Sequence, residues 1–207
     1  FGELTREIVD AAFYESFSGV STEISVLVTG YSKLGLNSFT YNGKVISHIT
    51  LGTTVEIIEE RAFQQVEQLK SVNFQGTSTL HKIVGYAFYN TNNLTSITLP
   101  SSLTQLDSWA FNECRGLRNV TFEYPSSLAT LGVQTFLFTS LETFSAPQNV
   151  LNLYGVTEGT GKSVGGKDGV TVTAVVAACS TSPVTITVSS EFVDGASTYK
   201  YTTSDTN

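Results

Sequence analysis

One phrase recurs along this chain, and its period constrains the fold more than any other feature. Residues 60–74 read ERAFQQVEQLKSVNF, residues 85–99 GYAFYNTNNLTSITL, and residues 108–122 SWAFNECRGLRNVTF. In each, a small residue precedes a Phe and a Leu follows that Phe six positions later. Anchored on Phe13, Phe39, Phe63, Phe88, Phe111 and Phe136, the intervals are 26, 24, 25, 23 and 25 residues. An aliphatic stands five residues before each Phe: Ile8, Leu34, Ile58, Ile83, Leu106 and Leu131. Three residues earlier again come Tyr31, Val55, Leu80, Leu103 and Leu128. Three columns that keep step across a drifting interval mark a stack of supersecondary units.

The second half of each unit reads as a strand. Leu69-Val72-Phe74, Leu94-Ile97-Leu99, Leu117-Val120-Phe122 and Leu141-Phe144-Ala146 share the spacing L-x-x-(I/V)-x-(L/F). Alternate residues of such a strand enter the core and those between face solvent. The first two units are looser: Ile46, Ile49 and Leu51 fit with one extra residue, and Val20, Ile24 and Val26 with more slippage. A unit carries about seven core positions, each worth roughly 2 kcal/mol when buried. Ordering its two dozen residues costs about 1–2 kcal/mol each in backbone entropy. One repeat therefore cannot stand alone, and the units must stack with their strands in parallel and the Phe column as a spine.

The stretch LPSSLTQL at 99–106, leading into WAFNEC at 109–114, resembles the BspA-type leucine-rich repeat, whose phrase runs roughly L-P-x-x-L-x-x-I-x-x-x-A-F-x-x-C. The resemblance covers residues 8 to about 150. It implies a mainly β, right-handed leucine-rich-repeat array of about six turns with a parallel sheet. It also implies a non-enzymatic secreted or cell-surface protein, in a family where many members act as adhesins. The chain departs from the phrase in two ways. Gly follows the aliphatic only at Gly35 and Gly132, and the motif Cys occurs once, at Cys114.

The pattern fails beyond Ala146. A further unit starts and reaches Leu153, but Glu158 stands where the next Phe belongs. The sequence thus divides into a solenoid at 1–154, a Gly-rich linker at 155–169 and a short β-rich segment at 170–207. The last contains three alternating stretches, 170–176, 184–190 and 198–203. Starting at Phe1 and lacking Met, the sequence reads as a trimmed product in which a signal peptide would be unobservable.

Chemistry-bearing motifs are few. Gly161-Lys162-Ser163 ends a phosphate-loop-like phrase, but its first Gly, Gly155, lies one residue too early and no amphipathic helix follows. His48 and His81 occupy different repeat positions, with no carboxylate or Cys spaced as a metal set. Glu59-Glu60 is a lone carboxylate pair in a turn, which lacks the second group glycoside hydrolysis needs. Cys114 and Cys179 could bridge only if the C-terminal strands fold back over the array. Asn93 and Asn119 open N-x-T sequons and are candidate glycan acceptors. No catalytic, cofactor or metal site is expected.

The candidate binding face is the outward row of the strands: Ser71, Asn73, Ser96, Thr98, Asn119, Thr121, Thr143 and Ser145. It is short, polar and uncharged, suited to an extended polar or glycan-bearing ligand. Charged residues are only 14% and the formal net charge is −7, which disfavours a nucleic-acid backbone as partner. No run of about 18 apolar residues is present to insert in a membrane. Two functions fit. One is an adhesin-like module that binds an extracellular protein or glycan. The other is a subunit that binds copies of itself head to tail, because apolar stacking ends that do not close give filaments.

Overall fold

The computed structural model describes residues 7–14, 16–17, 21–42, 45–176, 185–193 and 196–204. The chain divides into a unit Phe1–Val176 and a unit Ala177–Asn207. The larger unit is a mainly β solenoid in which each turn contributes a two-residue strand and a longer one. In chain order these are β1 (Glu7–Ile8) and β2 (Ile24–Val28), β3 (Lys33–Leu34) and β4 (Ile46–Leu51), then β5 (Ile57–Ile58) and β6 (Ser71–Phe74). The second half adds β7 (Lys82–Ile83) and β8 (Ser96–Leu99), β9 (Gln105–Leu106) and β10 (Asn119–Phe122), and β11 (Thr130–Leu131) and β12 (Thr143–Ala146).

The short strands form one six-stranded sheet, β1-β3-β5-β7-β9-β11, whose recorded registers are all parallel. Its inward column, Ile8, Leu34, Ile58, Ile83 and Leu106, is buried. The long strands lie in two blocks, β2-β4-β6 and β13-β14-β12-β10-β8, with β13 Gly159–Val164 and β14 Lys167–Ala174. The extra residue of the second repeat is a bulge: Ile24 pairs with Ile46 and Ser25 with His48, leaving Ser47 between them. Ser47 turns inward and donates its hydroxyl to the Ile24 carbonyl at 3.3 Å.

A third ladder runs through the turns that hold the Phe column. Phe39, Phe63 and Phe88 each donate their backbone N–H to the carbonyl of the small residue one turn ahead, Ala62, Ala87 and Ala110, all at 2.8 Å. Those alanines are fully buried, which explains the small residue before each Phe. The rings follow the same step. Phe13, Phe39, Phe63, Phe88, Phe111 and Phe136 stack in order with centroids 5.0, 5.2, 5.2, 4.9 and 5.4 Å apart and interplanar angles from 1° to 19°. That spacing is close to the strand separation of a sheet, so one repeat step serves both. Thr91 and Thr139, three residues after their Phe, donate a hydroxyl back to its carbonyl at 2.9 and 2.8 Å. Cys114 holds the same position, fully buried, its Sγ 3.0 Å from the Phe88 carbonyl and 3.1 Å from Thr91 Oγ1.

Two expectations need correction. Phe13 is not buried like the rest of its column but 37% exposed, because among the described residues no ring precedes it except Phe17 at 6.3 Å. Tyr31, at the head of its column, is likewise 42% exposed. The segment read as a linker at 155–169 is largely ordered. After helix α1 (Gln148–Tyr154) and the left-handed Gly155 that ends it, β13 and β14 form an antiparallel hairpin. β14 then pairs in parallel with β12, from Thr143↔Thr171 to Ala146↔Ala174. Residues 170–174 thus extend the solenoid sheet and do not start a separate segment. Val164, Val170 and Val172 are buried in its core, and Tyr154 covers the last Phe with ring centroids 6.1 Å from Phe136 and 5.1 Å from Phe144.

The smaller unit contains β15 (Thr185–Val193) and β16 (Ala196–Ser204), an antiparallel hairpin in register from Thr185↔Ser204 to Val193↔Ala196. Cys179, and with it the Cys114–Cys179 bridge, lies outside the described residues.

Phe111→Ala should cost about 3–5 kcal/mol in urea unfolding, from lost transfer energy and the cavity left. Phe13→Ala, at the open end, should cost about 1 kcal/mol or less. Truncation after Val176 should leave the cooperative transition of the larger unit in place. Truncation after Val164 removes two buried valines and should lower stability by about 3 kcal/mol or more.

Candidate functional site

The expected sheet face assembles, in two blocks. On the second block Ser96, Asn119 and Thr143 are direct cross-strand neighbours, as are Thr98, Thr121 and Ser145. Thr143 donates its hydroxyl to Asn119 Oδ1 at 2.7 Å, so the row is already partly paired within itself. Ser71 and Asn73 belong to the first block, where Ser71 Oγ lies 2.8 Å from His48 Nδ1. The hairpin adds two residues that sequence reading left out, since Thr171 pairs with Thr143 and Thr173 with Ser145. Arg118 and Glu142 form an ion pair on one margin and Lys70 and Glu23 another, leaving the middle uncharged.

β6 and β8 are not hydrogen-bonded to each other. At the position of Pro100, Gln75 donates to the Leu51 carbonyl at 2.8 Å and Glu123 to the Leu99 carbonyl at 3.0 Å. Pro100 has no N–H to offer Phe74, so that rung is lost. The seam opens a cleft of about 260 Å³ on the candidate face, lined by Ser71, Asn73, Ser96 and Thr98 with Glu123 at its rim.

A second surface lies on the turns, and sequence reading missed it. Each turn from the second on places two residues at left-handed φ, two before and two after its Phe. The first column is Asn37, Arg61, Tyr86, Trp109 and Gln134, and the second Tyr41, Gln65, Asn90, Glu113 and Phe138, all with φ between 55° and 60°. Asn suits this conformation, whereas bulky side chains there cost roughly 1–2 kcal/mol each. Yet Tyr86 stacks on Trp109 at 5.5 Å and 9°, Arg61 lies over Tyr86 with its guanidinium carbon 5.6 Å from the ring centroid, and Trp109 Nε1 donates to Gln134 Oε1 at 2.7 Å. Tyr89 meets Tyr86 edge-on at 5.7 Å and donates its hydroxyl to Glu113 Oε1 at 3.1 Å. Between these side chains runs a groove of about 520 Å³, which Asn112, Leu137 and Phe138 complete.

The other candidate groups are placed singly. His81 and His48 are half-buried in different positions, and among the described residues no group of three or more His, Cys, Asp and Glu could hold a metal. Glu59 pairs with Lys33 at 3.1 Å and Glu60 with Arg61 at 2.9 Å, both at the surface. Lys162 and Ser163 lie in β13, where Lys162 Nζ donates to Thr157 Oγ1 at 3.1 Å, so the Gly-Lys-Ser phrase makes a strand and no phosphate loop. Asn93 is exposed in a turn with Nδ2 bonded to Gln68 Oε1 at 2.9 Å, and Asn119 is exposed at the start of β10. Among the described residues no helix is long and apolar enough to cross a membrane.

The family described as BspA-type leucine-rich repeat region matches residues 32–156 in six copies. Two solved structures share the fold at 18% identity. A leucine-rich repeat protein from Bacteroides ovatus superposes with a TM-score of 0.50, covering 76% of this chain and 43% of its own. A leucine rich cell surface protein from Faecalibacterium prausnitzii superposes with a TM-score of 0.56, covering 73% of this chain and 41% of its own. The chain therefore spans about two fifths of the length of either. No curated protein matches it.

Burial raises the Cys114 thiol from the usual 9.0 to about 11, partly offset by its hydrogen bonds with Thr91. Burial also raises the Tyr154 phenol above its ordinary 10.0. Both groups hold their protons longer in the folded chain than in the unfolded one. Stability should therefore be complete below pH 9 and fall as pH rises towards 11, by about 2–3 kcal/mol for the thiol. Cys114→Thr, which copies the residue at 91 and 139, should fold and lose much of that fall in urea titrations between pH 8 and pH 11.

Proposed function

The chain belongs to the BspA-type leucine-rich repeat family, and on that premise we propose that it is a non-enzymatic protein-binding module of a cell surface, adhesin-like in its action. One observation carries this reading: Tyr86, Tyr89, Trp109 and Arg61, of the residue types that dominate protein-binding hot spots, gather along one groove on the turn face. The sheet face, from Ser71 and Asn73 through Ser96, Thr98, Asn119, Thr121, Thr143 and Ser145, has no such anchors and is proposed as a flanking polar contact. An extracellular location suits the likeness to the Faecalibacterium cell surface protein.

A second reading, head-to-tail assembly, is favoured by the apolar character of the first turn. Phe13, Leu27 and Tyr31 are 37%, 60% and 42% exposed there among the described residues.

Surface plasmon resonance of the intact chain, against immobilised extracellular matrix proteins and purified polysaccharides, separates these readings when combined with light scattering across a concentration series. Saturable binding to a protein by a monomeric chain is the expected result. Binding to polysaccharides alone would overturn the protein-binding reading, and a size that grows with concentration would replace it with self-assembly.

A further inference from the structure

The groove on the turn face has features that select among binding partners. Tyr86 is covered on both faces, by Arg61 and by Trp109. The indole N–H of Trp109 is already committed to Gln134. A flat sugar ring thus finds no open face on Tyr86 to stack upon. What the groove offers instead is ring edges, the half-buried Leu137 and the side chain of Phe138, which is 61% exposed. The half-buried Gln64 and the largely buried Asn112 also line the groove.

The fold itself does not call for these side chains. Asn37 and Gln134 fill the column of Tyr86 and Trp109, and Asn90 fills that of Phe138, all with the same left-handed backbone. Phe138 holds a left-handed backbone, which strains a bulky residue, and is 61% exposed.

Charge narrows the partner further. Glu113 is the carboxylate of the groove, held by Tyr89 at 3.1 Å and by Arg115 at 3.2 Å. The Arg115 side chain is 69% exposed, so a cation from outside can take its place. The net charge of −7 draws a basic partner towards the chain.

We infer that the turn-face groove docks an extended peptide segment of a protein partner, apolar side chains lying over Leu137 and Phe138 and a basic one reaching Glu113. The inference rests on the protein-binding reading and adds where the partner sits and what it carries.

Trp109 is the only Trp of the chain, so its fluorescence reports on the groove directly. The intact protein would be titrated with a decapeptide alternating lysine and leucine, with its glutamate–leucine counterpart, and with cellohexaose. A saturable emission shift with the lysine peptide is expected, at least tenfold weaker with the glutamate peptide and at least tenfold weaker in Glu113→Gln. No shift with the lysine peptide, equal response to both peptides, or a shift with cellohexaose alone would overturn the inference. For a protein found in the binding panel, Phe138→Ser should weaken binding at least tenfold while the unfolding curve is unchanged. Undiminished binding by that variant would remove the groove and leave the protein-binding reading standing, whereas a panel with no protein bound removes the reading itself.

Discussion

The stack of phenylalanine rings is the interaction on which the rest of the solenoid depends. Five successive contacts, none longer than 5.4 Å, run from Phe13 to Phe136. A two-residue strand such as Lys82–Ile83 has too few hydrogen bonds to order its own segment, and a turn with two left-handed residues is strained. Both hold because the ring between them can be buried only in one position relative to its neighbours. The seam between β6 and β8 illustrates this dependence. The long-strand ladder is absent there, yet Phe63 and Phe88 stack at 5.2 Å, Phe63 still donates to the Ala87 carbonyl at 2.8 Å, and β5 still pairs with β7.

How far the sequence was readable follows the size of each signal. The Phe, aliphatic and strand columns were legible because three residues per repeat recur in fixed relation over six turns. The second sheet was not, since two residues cannot display an alternation; its inward aliphatics were visible as a column, but their pairing was not. The hairpin of β13 and β14 was hidden by composition, because Gly159, Gly161, Gly165 and Gly166 read as a linker although 159–164 is a strand. The bulge at Ser47 was visible as one surplus residue in the second repeat, and the structure adds that its hydroxyl satisfies a strand carbonyl.

The two candidate surfaces differ in the same way. The sheet face could be written down residue by residue, because period-two alternation dictates it once the strand is placed. The turn groove could not, because it takes two or three residues from each of four turns, and Arg61, Tyr86 and Trp109 share no chemical type. Only the common position, two residues before each Phe, would have aligned them. Physical considerations give the groove more weight than the hydroxyl face: it concentrates aromatic side chains and a carboxylate, while the sheet face satisfies part of its own hydrogen bonding through Thr143 and Asn119. A solenoid suits this division of labour, since a rigid spine lets turn residues vary without disturbing the core.

Native-state hydrogen exchange, resolved amide by amide, tests the central claim most directly. If the ring stack holds the array, the N–H groups of Phe39, Phe63, Phe88 and Phe111 exchange only through one large opening, with a common free energy and a common dependence on denaturant. The Phe63 and Phe88 amides share that protection despite the open seam beside them. Turn amides that exchange independently of one another, while those of β10 and β12 stay protected, would contradict the account and make the long-strand sheet the element that holds the fold.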